Sequence, residues 1–469
     1  MNYFSILNED EVEAIHAASL RILSETGVIL THPQARELLA ASGGIPEGDR
    51  LLLPPELVES AVMKCPGEVH LRGRNGITKT LGDGSLHWHN MGGARDVYDP
   101  ITGTRRKALL QDVRDSTRLL DALDQATSIT PLFTPQDIPG GVMSLAMYRH
   151  ALPYTTKPLQ GPGIQTAAEA RYAIRMAAVV GPPQEMLSLS VSPVSPLTFP
   201  DDGIGAILEI ARSKVAFGPL PAPTAGTTAP LSLAGALAQQ NAEVLAAIVL
   251  AQMAQPGLPI VYCGRLAMME PRTGLSVWGG VELGMASAAT VQLGHRYGLP
   301  VNVYGFSTNA HTLDIQSGFE RALNAILPAL AGADELSGLG EMEAGNLSSY
   351  AQLACDNELA ASVQRIRRGF PTDEDARAVD VIAAVMRGPR NYLGQKHTSR
   401  YLRGGEVLLT HLSERGSWES WEAAGRAGMA ERAQAEAERL LREHQVPPLS
   451  DEQERQLDAI LEEAGRESG

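Results

Sequence analysis

From about residue 105 to about residue 390, segments of helical periodicity alternate with short runs of apolar residues, and this alternation constrains the fold most. Short apolar strands separated by helices are typical of a parallel sheet, because each return connection between parallel strands needs a crossover. The spacing predicts an α/β protein built on a single (β/α)8 TIM barrel. The predicted strands cover residues 126–130, 158–161, 186–191, 215–218, 260–264, 301–306 and 335–340. The predicted helices cover residues 110–123, 141–151, 167–180, 203–212, 231–254, 281–297, 315–331 and 349–367.

Two further regions flank the predicted barrel, which we place at residues 105–390. Residues 1–104 are expected to form an N-terminal cap of helices and short strands, and residues 391–469 a C-terminal helical extension packed on the barrel or on a partner subunit. The cap helices are predicted at residues 9–30, 33–41 and 55–64. An open doubly wound sheet is the main alternative fold. It would need a glycine-rich nucleotide-binding turn, and neither GxGxxG nor GxxxxGKS/T occurs.

The charge balance excludes several classes of partner. The chain carries 39 Lys and Arg against 54 Asp and Glu, a net charge of −15. Nucleic acids and anionic membrane surfaces both bind basic proteins, so we expect neither as a partner. The three cysteines, Cys65, Cys263 and Cys355, form no CxxC pair, which argues against a zinc site and a disulfide framework. The sequence shows no basic, apolar leader and no run of about 18 apolar residues, so a cytoplasmic protein is expected.

In a TIM barrel the reactive groups come from the carboxyl ends of the strands, and this rule selects the candidate site residues. Glu341 and Glu343 follow the last predicted strand and share one face of an extended segment. There they can hold a cation or share a proton, and the alternative is a solvated loop. Further candidates, each at a strand end or in the loop after it, are Asn309, His311, Gln160 and Thr228.

A pair of histidines stands apart from the predicted barrel strands. His87 and His89 share a face if the segment LHWHN is extended, and two histidines at this spacing can bind a metal ion. A third ligand is not evident, so no metal site is predicted. The remaining interpretations are hydrogen bonding within the core and contact with a substrate.

Four aromatic residues lie near predicted strand ends, although aromatic residues make up only 5% of the chain. Each one alone is more typical of barrel packing, but we expect at least one to face a pocket. Aromatic faces together with carboxylates hold a quaternary ammonium group well, at about 0.5–2 kcal/mol for each cation–π contact. The four residues are Trp278, Tyr304, Phe306 and Tyr262.

Four segments of the chain together resemble one known family. They are GGARDVYDPITGTRRKALLQDV at 92–113, GTTAPLSLAGALAQQNAE at 226–243, GHRYGLPVNVYG at 294–305 and SYAQLACDNELAASVQRIRRG at 349–369. In this order they resemble the trimethylamine methyltransferase (MttB-like) superfamily, from about Leu7 to about Ala464. The resemblance implies a (β/α)8 barrel that demethylates methylated amines. It also implies that the methyl group passes to the cobalt of a corrinoid (cobalamin) carried by a separate small protein, with no cofactor bound by this chain.

One branch of this superfamily contains pyrrolysine, and this sequence contains none. The resemblance therefore implies the other branch, whose substrates are quaternary amines such as glycine betaine. The expected partners are a corrinoid protein and a small quaternary amine, and a homo-oligomer is expected. For a substrate carboxylate, the candidate partners are His311, Asn309 and Arg265. Two alternatives stay open: a barrel that binds a betaine or osmolyte without turnover, and a lyase or decarboxylase with Glu341 or Glu343 as base.

Overall fold

Eight parallel strands form a closed ring in the computed structural model, which describes residues 3–99, 102–161, 163–388 and 390–467. In chain order they are β1 (His87–Asn90), β2 (Ala126–Ser128), β3 (Leu159–Gly161), β4 (Leu187–Val191), β5 (Ala216–Pro219), β6 (Tyr262–Gly264), β7 (Val301–Tyr304) and β8 (Glu335–Leu339). Neighbouring strands pair in this order, and β8 pairs in parallel with β1. Single parallel bridges join β2 to β3 and β5 to β6. The predicted (β/α)8 barrel is therefore confirmed.

One helix follows each strand and packs on the outside of the ring. The helices are α1 (Leu110–Ala122), α2 (Gly140–Ala151), α3 (Ala167–Val180), α4 (Asp201–Arg212), α5 (Leu233–Ala254), α6 (Val281–Arg296), α7 (Ile315–Ala331) and α8 (Tyr350–Arg368). Helix α5 is long and apolar enough by composition to cross a membrane, but 83% of its most apolar window is buried inside the protein. Further helices cover its outer side, so an apolar surface all around α5 is consistent with a core helix.

The first barrel strand lies inside the segment that the sequence assigns to the N-terminal cap, so the predicted boundary at residue 105 is wrong. Strand β1 reads HWHN, and it was not recognised because it lacks an apolar run. Its inward side chains are polar, and its one apolar residue, Trp88, is buried on the outer face. Pro100 and Ile101, which belong to the same predicted cap, lie outside the described residues.

Three N-terminal helices, Glu9–Arg21, Pro33–Ala41 and Pro55–Val62, pack against α5. The first is shorter than predicted, because the chain leaves the helix through a π-turn and Gly27, whose φ is +73°. A Cβ atom at Gly27 would lie 2.6 Å from the Leu51 carbonyl oxygen, so this turn requires glycine. The strands of a small sheet complete this region: Val28–Leu30, Ile45–Glu47, Arg50–Leu52 and Thr198–Phe199.

A β-hairpin closes the amino-terminal end of the barrel. Its strands, Val69–Arg72 and Thr78–Leu81, place three apolar side chains against the lowest inward residues of β5 and β6. The Gly82 backbone amide, directly after the hairpin, donates to the Asp334 carboxylate at 3.1 Å and so connects the hairpin to the barrel. This end of the barrel therefore offers no entrance to a ligand.

Two small sheets lie over the opposite end, where the barrel strands finish. One contains Asp96–Tyr98, Arg105–Lys107, Glu341–Met342 and Leu347–Ser349, and the other contains Thr224–Ala225, Ala267–Met269 and Ser276–Val277. Both sheets are built from the loops that follow β1, β5, β6 and β8. We refer to the space that they surround as the barrel mouth.

The C-terminal extension returns to the barrel of the same chain. Helix Met429–Glu443 packs against α8, and helix Asp451–Glu467 packs against α2 and α3. The four shorter helices before them are Glu374–Arg377, Val379–Arg387, Lys396–Arg403 and Trp418–Ala423. Ser450 and Gln453 form a capping box at the start of the last helix, with the Gln453 amide donating to Ser450 Oγ at 3.2 Å.

Candidate active site

The inward side chains of the barrel strands are mostly polar and surround one small cavity. The space that the centre of a water molecule can occupy inside it is about 30 Å³. About two water molecules fit in such a space. Alternation along the strands decides which residues reach it, because every second residue faces inward. The cavity is lined by His89, Gln160, Gly161, Ser188, Ser190, Gly218, Leu220, Val261, Cys263, Arg265, Asn302 and Glu335.

A buried ion pair forms the floor of this cavity. Lys79, from the hairpin, forms an ion pair with Glu335 at the start of β8, and both side chains are almost fully buried. The Glu335 carboxylate also accepts hydrogen bonds from Gln160 at 3.0 Å and from Asn302 at 2.5 Å. Burial alone would raise the pKa of Glu335, but the Lys79 ammonium and these donors hold it well below its usual range. Glu335 is thus an ionised and saturated acceptor.

His89 is neutral in this environment. Burial lowers the pKa of His89 to about 4. The Asn302 amide nitrogen lies 2.9 Å from His89 Nε2, and the Asn90 carbonyl lies 2.8 Å from His89 Nδ1. Since Asn302 donates, Nε2 is the acceptor and Nδ1 carries the proton. Among the described residues, no group of three or more His, Cys, Asp or Glu is arranged to hold a metal ion.

Arg265 lines the cavity, and the Tyr304 ring lies against its guanidinium. The Arg265 guanidinium lies over the Tyr304 ring, with Cζ 4.6 Å from the ring centroid, and it donates to the Asn302 carbonyl at 2.9 Å. Trp278 meets the Tyr304 ring edge-on, at 5.3 Å between centroids. Asn309 fixes the Trp278 loop, because its Oδ1 accepts the backbone amides of Trp278 and Gly279 at 2.7 Å. Trp278 and Tyr304 thus form an aromatic pair beside Arg265.

Glu341 is a fully buried carboxyl group just beyond the end of β8. Its Oε1 accepts the Ser307 hydroxyl at 2.6 Å, whereas its Oε2 has no hydrogen-bond donor among the residues that the structure describes. Burial raises the pKa of Glu341 to about 7, although the charges of Arg321 and Arg265 act to lower it. A buried carboxylate with an open oxygen is costly unless a ligand or a proton occupies it. Glu341 is therefore suited to a cation.

The other predicted residues at the barrel mouth form its rim. Glu343 pairs with Arg105 at 2.8 Å and with His311 at 3.5 Å, and the His311 side chain is largely exposed. Thr228 closes a turn, with its Oγ1 accepting the Thr224 amide at 2.8 Å. The predicted pair Glu341 and Glu343 thus separates into a buried carboxyl and a surface ion pair.

Three predicted residues do not face the cavity. Tyr262 points outward from β6, and its hydroxyl donates to Asn241 of α5 at 2.7 Å. Phe306 is fully buried and stacks on Trp88, with the ring centroids 4.6 Å apart. His87 lies below the cavity, where its Nε2 is 3.0 Å from the Thr80 carbonyl of the hairpin. We therefore assign Tyr262 and Phe306 to the core and His87 to the floor, because strand alternation and register carry them there.

Several cavity residues were not predicted from the sequence. Asn302 and Glu335 are single polar residues within apolar strands. A polar residue in an otherwise apolar strand is a sequence signal from which both could have been predicted. Ser188 and Ser190 carry the same alternating signal on β4. Lys79 carries no such signal, because its position depends on how the hairpin docks. Cys263 lines the cavity as a thiol, since burial raises its pKa to about 12.

Known proteins match this chain along nearly its whole length. Residues 1–469 match the family described as trimethylamine methyltransferase (MTTB). Trimethylamine methyltransferase MttB of Desulfitobacterium hafniense (strain DSM 10664 / DCB-2) is 31% identical over 471 residues, covering 98% of this chain and 94% of the relative. Glycine betaine methyltransferase of Desulfitobacterium hafniense (strain Y51) is 30% identical over 475 residues, covering 99% of this chain and 98% of the relative.

Solved structures share the architecture. The monomethylamine methyltransferase MtmB of Methanosarcina barkeri superposes with a TM-score of 0.57 at 13% identity, covering 95% of this chain and 89% of that chain. A hydroxylamine complex of MtmB gives a TM-score of 0.58 at the same identity. At this level of identity the likeness supports the fold alone.

Proposed function

The chain belongs to the trimethylamine methyltransferase (MttB) family and is a methyltransferase, and from that premise we propose that its methyl donor is a quaternary amine. The proposed acceptor is the Co(I) of a corrinoid carried by a separate protein, which acts as a second substrate. The names of the relatives are compatible with both a tertiary and a quaternary donor, since one acts on trimethylamine and another on glycine betaine.

The observation that carries this proposal is the open oxygen of Glu341. We expect a permanent cation to pair with this carboxylate, close to Tyr304, whose pKa is raised by burial and by Glu341, and to Trp278, which packs on the Tyr304 ring. Aromatic faces and a carboxylate are the groups that bind a quaternary ammonium, which has no N–H to donate. A hydrogen-bonding site for a protonated amine would instead need several well-placed acceptors.

The chemistry of a quaternary donor needs no proton, which suits a described cavity where His89 and Glu335 are both already hydrogen-bonded. In the proposed reaction the N–CH3 bond breaks, its electron pair stays on nitrogen, and the methyl carbon bonds to cobalt. Co(I) is formally oxidised to Co(III), and the amine leaves neutral, so no proton has to be supplied. The protein then acts by orienting the N–CH3 bond and by excluding water. His89 is neutral and Glu335 is saturated, so neither is available as an acid or a base.

The direction of approach follows from the fold. Because the hairpin closes the amino-terminal end, the cobalt centre would have to arrive through the barrel mouth. The partner protein is therefore expected to dock over the two small sheets there. The reacting methyl group must then point away from the cavity and toward this opening.

The test is methyl transfer to free cob(I)alamin, followed by absorbance under anaerobic reducing conditions. We expect transfer from at least one of glycine betaine, choline and carnitine, and none from trimethylamine. Glu341→Gln is expected to lose most of this activity, and Glu463→Gln, on the distant C-terminal helix, is expected to keep it. Transfer from trimethylamine alone, or from no compound, would contradict the proposal. Turnover of a donor without corrinoid that is lost in Glu341→Gln would instead favour the lyase alternative.

A further inference from the structure

Two serine hydroxyls point into the cavity without a partner. Ser188 and Ser190 both face inward from β4, and neither hydroxyl makes a hydrogen bond to the residues that the structure describes. Ser188 is only 5% exposed. Gly218, on the neighbouring strand, leaves room beside them, because a Cβ atom there would lie 2.7 Å from Ser190 Oγ. A buried hydroxyl is normally hydrogen-bonded, so that of Ser188 indicates a ligand, and the half-buried Ser190 lies beside it on the same face of β4.

A buried guanidinium lines the same cavity without a counter-ion. Arg265 is 6% exposed and has no carboxylate within 4.0 Å among the described residues. Two other buried cations are paired, Lys79 with Glu335 and Arg321 with Asp356. Arg265 donates to the carbonyls of Gly264 and Asn302 and to the Asn302 side chain, which leaves two of its five N–H groups for other acceptors. A buried charge in this state is stabilised by an anionic ligand.

Among the described residues that line the cavity, no charge cancels that of Arg265. The Glu335 carboxylate is balanced by the Lys79 ammonium, and His89 is neutral. The cavity interior therefore carries a net positive charge, and it would repel an ammonium group. The open carboxylate oxygen of Glu341 lies above, beyond the end of β8. Of these two groups, Arg265 lines the cavity and Glu341 does not, so the charge inside the cavity is the positive one.

The size of the cavity also indicates that the anionic end of a substrate lies inside and the ammonium end outside. Space for about two water molecules accommodates the two oxygens of a carboxylate. A trimethylammonium group, with three methyls around nitrogen, is too large for it. The larger group must remain in the barrel mouth, beside Trp278 and Tyr304, which is also where its methyl can meet an acceptor.

We infer that Arg265, Ser188 and Ser190 form a carboxylate subsite inside the barrel, and that the substrate is a short zwitterion whose quaternary ammonium faces the barrel mouth. This inference rests on the proposed function and adds the two serines that bind the substrate carboxylate and the orientation of the substrate. The two serines act as specificity-determining residues, because they donate to the carboxylate and not to the reacting group. A trimethylammonium compound without a carboxylate would leave Arg265 unpaired and both hydroxyls unbonded.

The test is calorimetric binding to the purified protein without corrinoid, using glycine betaine, choline and acetate as probes. We expect glycine betaine to bind at least about tenfold more tightly than choline, since choline replaces the carboxylate with a hydroxyl. In the double variant Ser188→Ala/Ser190→Ala, glycine betaine affinity should fall by about a hundredfold while choline binding stays the same. Ser287→Ala, a buried serine of α6 outside the cavity, is the matched control and should change neither.

A second variant distinguishes the loss of the carboxylate subsite from a folding defect. Arg265→Lys keeps the charge but removes the planar donor edge, and we expect it to weaken glycine betaine and acetate binding with unchanged circular dichroism. Equal affinity for choline and glycine betaine, or a folded serine double variant with unchanged betaine affinity, would overturn the inference. These outcomes differ from a failure of the proposed function, which would be betaine binding without any methyl transfer to cob(I)alamin.

Discussion

The Lys79 ammonium reaches Glu335 across the floor of the barrel, although 256 positions separate the two residues in the sequence. This pair joins the N-terminal hairpin to the last barrel strand, and both of its side chains are buried, as they are in the pair of Arg321 with Asp356. Burying two charges is costly, and the pair is stable only while both members are present.

We predict that Lys79→Met destabilises the protein by about 3–5 kcal/mol, because it leaves the Glu335 carboxylate buried without a counter-ion. Urea unfolding gives this difference directly. Lys107→Met removes a lysine whose side chain is 64% exposed and pairs with Asp96, so it should cost less than about 1 kcal/mol. If the two substitutions cost the same, the ion pair does not stabilise the closed floor.

Glu341 should make the stability of the protein depend on pH. Its pKa is raised to about 7 by burial, so the folded state holds this proton more tightly than the unfolded state. The stabilisation is complete below the unfolded pKa and is lost as the pH rises through about 7. Relative to Glu341→Gln, the wild-type free energy of unfolding should therefore fall by about 2–3 kcal/mol between pH 5 and pH 8. A constant difference across this range would show that Glu341 does not titrate there.

The same carboxyl group should control substrate affinity. If the ammonium group of the substrate rests on Glu341, binding requires the ionised form, and binding below pH 7 must expel a proton. We expect glycine betaine affinity to rise about tenfold per pH unit below the pKa and to level off above it. In Glu341→Gln the affinity should be weaker and independent of pH. Equal pH profiles in the two proteins would place the cation elsewhere.

Aromatic residues that looked alike in the sequence should behave differently when removed. Phe306 packs on Trp88 within the core, so Phe306→Ala should cost about 3–5 kcal/mol of stability. Trp278 lies at the barrel mouth, so Trp278→Ala should weaken trimethylammonium binding by about 0.5–2 kcal/mol and leave stability nearly unchanged. Thermal unfolding and calorimetric binding on both variants test this contrast. The reverse pattern would exclude Trp278 from the substrate site.

Much of the barrel could be predicted because its strands are apolar runs bounded by turns. Strand β1 was not found because a strand whose inward residues are His87, His89 and neighbouring polar groups has no apolar run to detect. The candidates Gln160 and Glu341 followed from one topological rule, that residues at the carboxyl ends of the strands surround the site, whereas His89 came from the spacing of the two histidines in LHWHN. Register was harder to predict, and it decided that Tyr304 faces inward while Tyr262 faces α5.

The long-range contacts could not be predicted from local patterns. Lys79 reads as an ordinary surface residue of a hairpin, and only the docking of that hairpin under the barrel buries it. The predicted pairing of Glu341 and Glu343 failed for a related reason. The backbone turns after Met342, and Glu343 adopts a positive φ of 48° that directs its side chain to Arg105 at the rim.

The C-terminal helix should depend on one partly buried arginine of the barrel. Arg149 of α2 pairs with Glu454 at 2.6 Å and with Asp458 at 2.8 Å, and its own side chain is only 8% exposed. We predict that Arg149→Met increases amide hydrogen exchange within residues 451–467, because it removes both ion pairs and leaves two carboxylates facing an apolar side chain. Arg175→Met, which removes an exposed pair with Glu463, should change the local stability by less than about 1 kcal/mol. Unchanged exchange in both variants would mean that the apolar face of the helix, with Leu457 and Ile460, is sufficient to hold it in place.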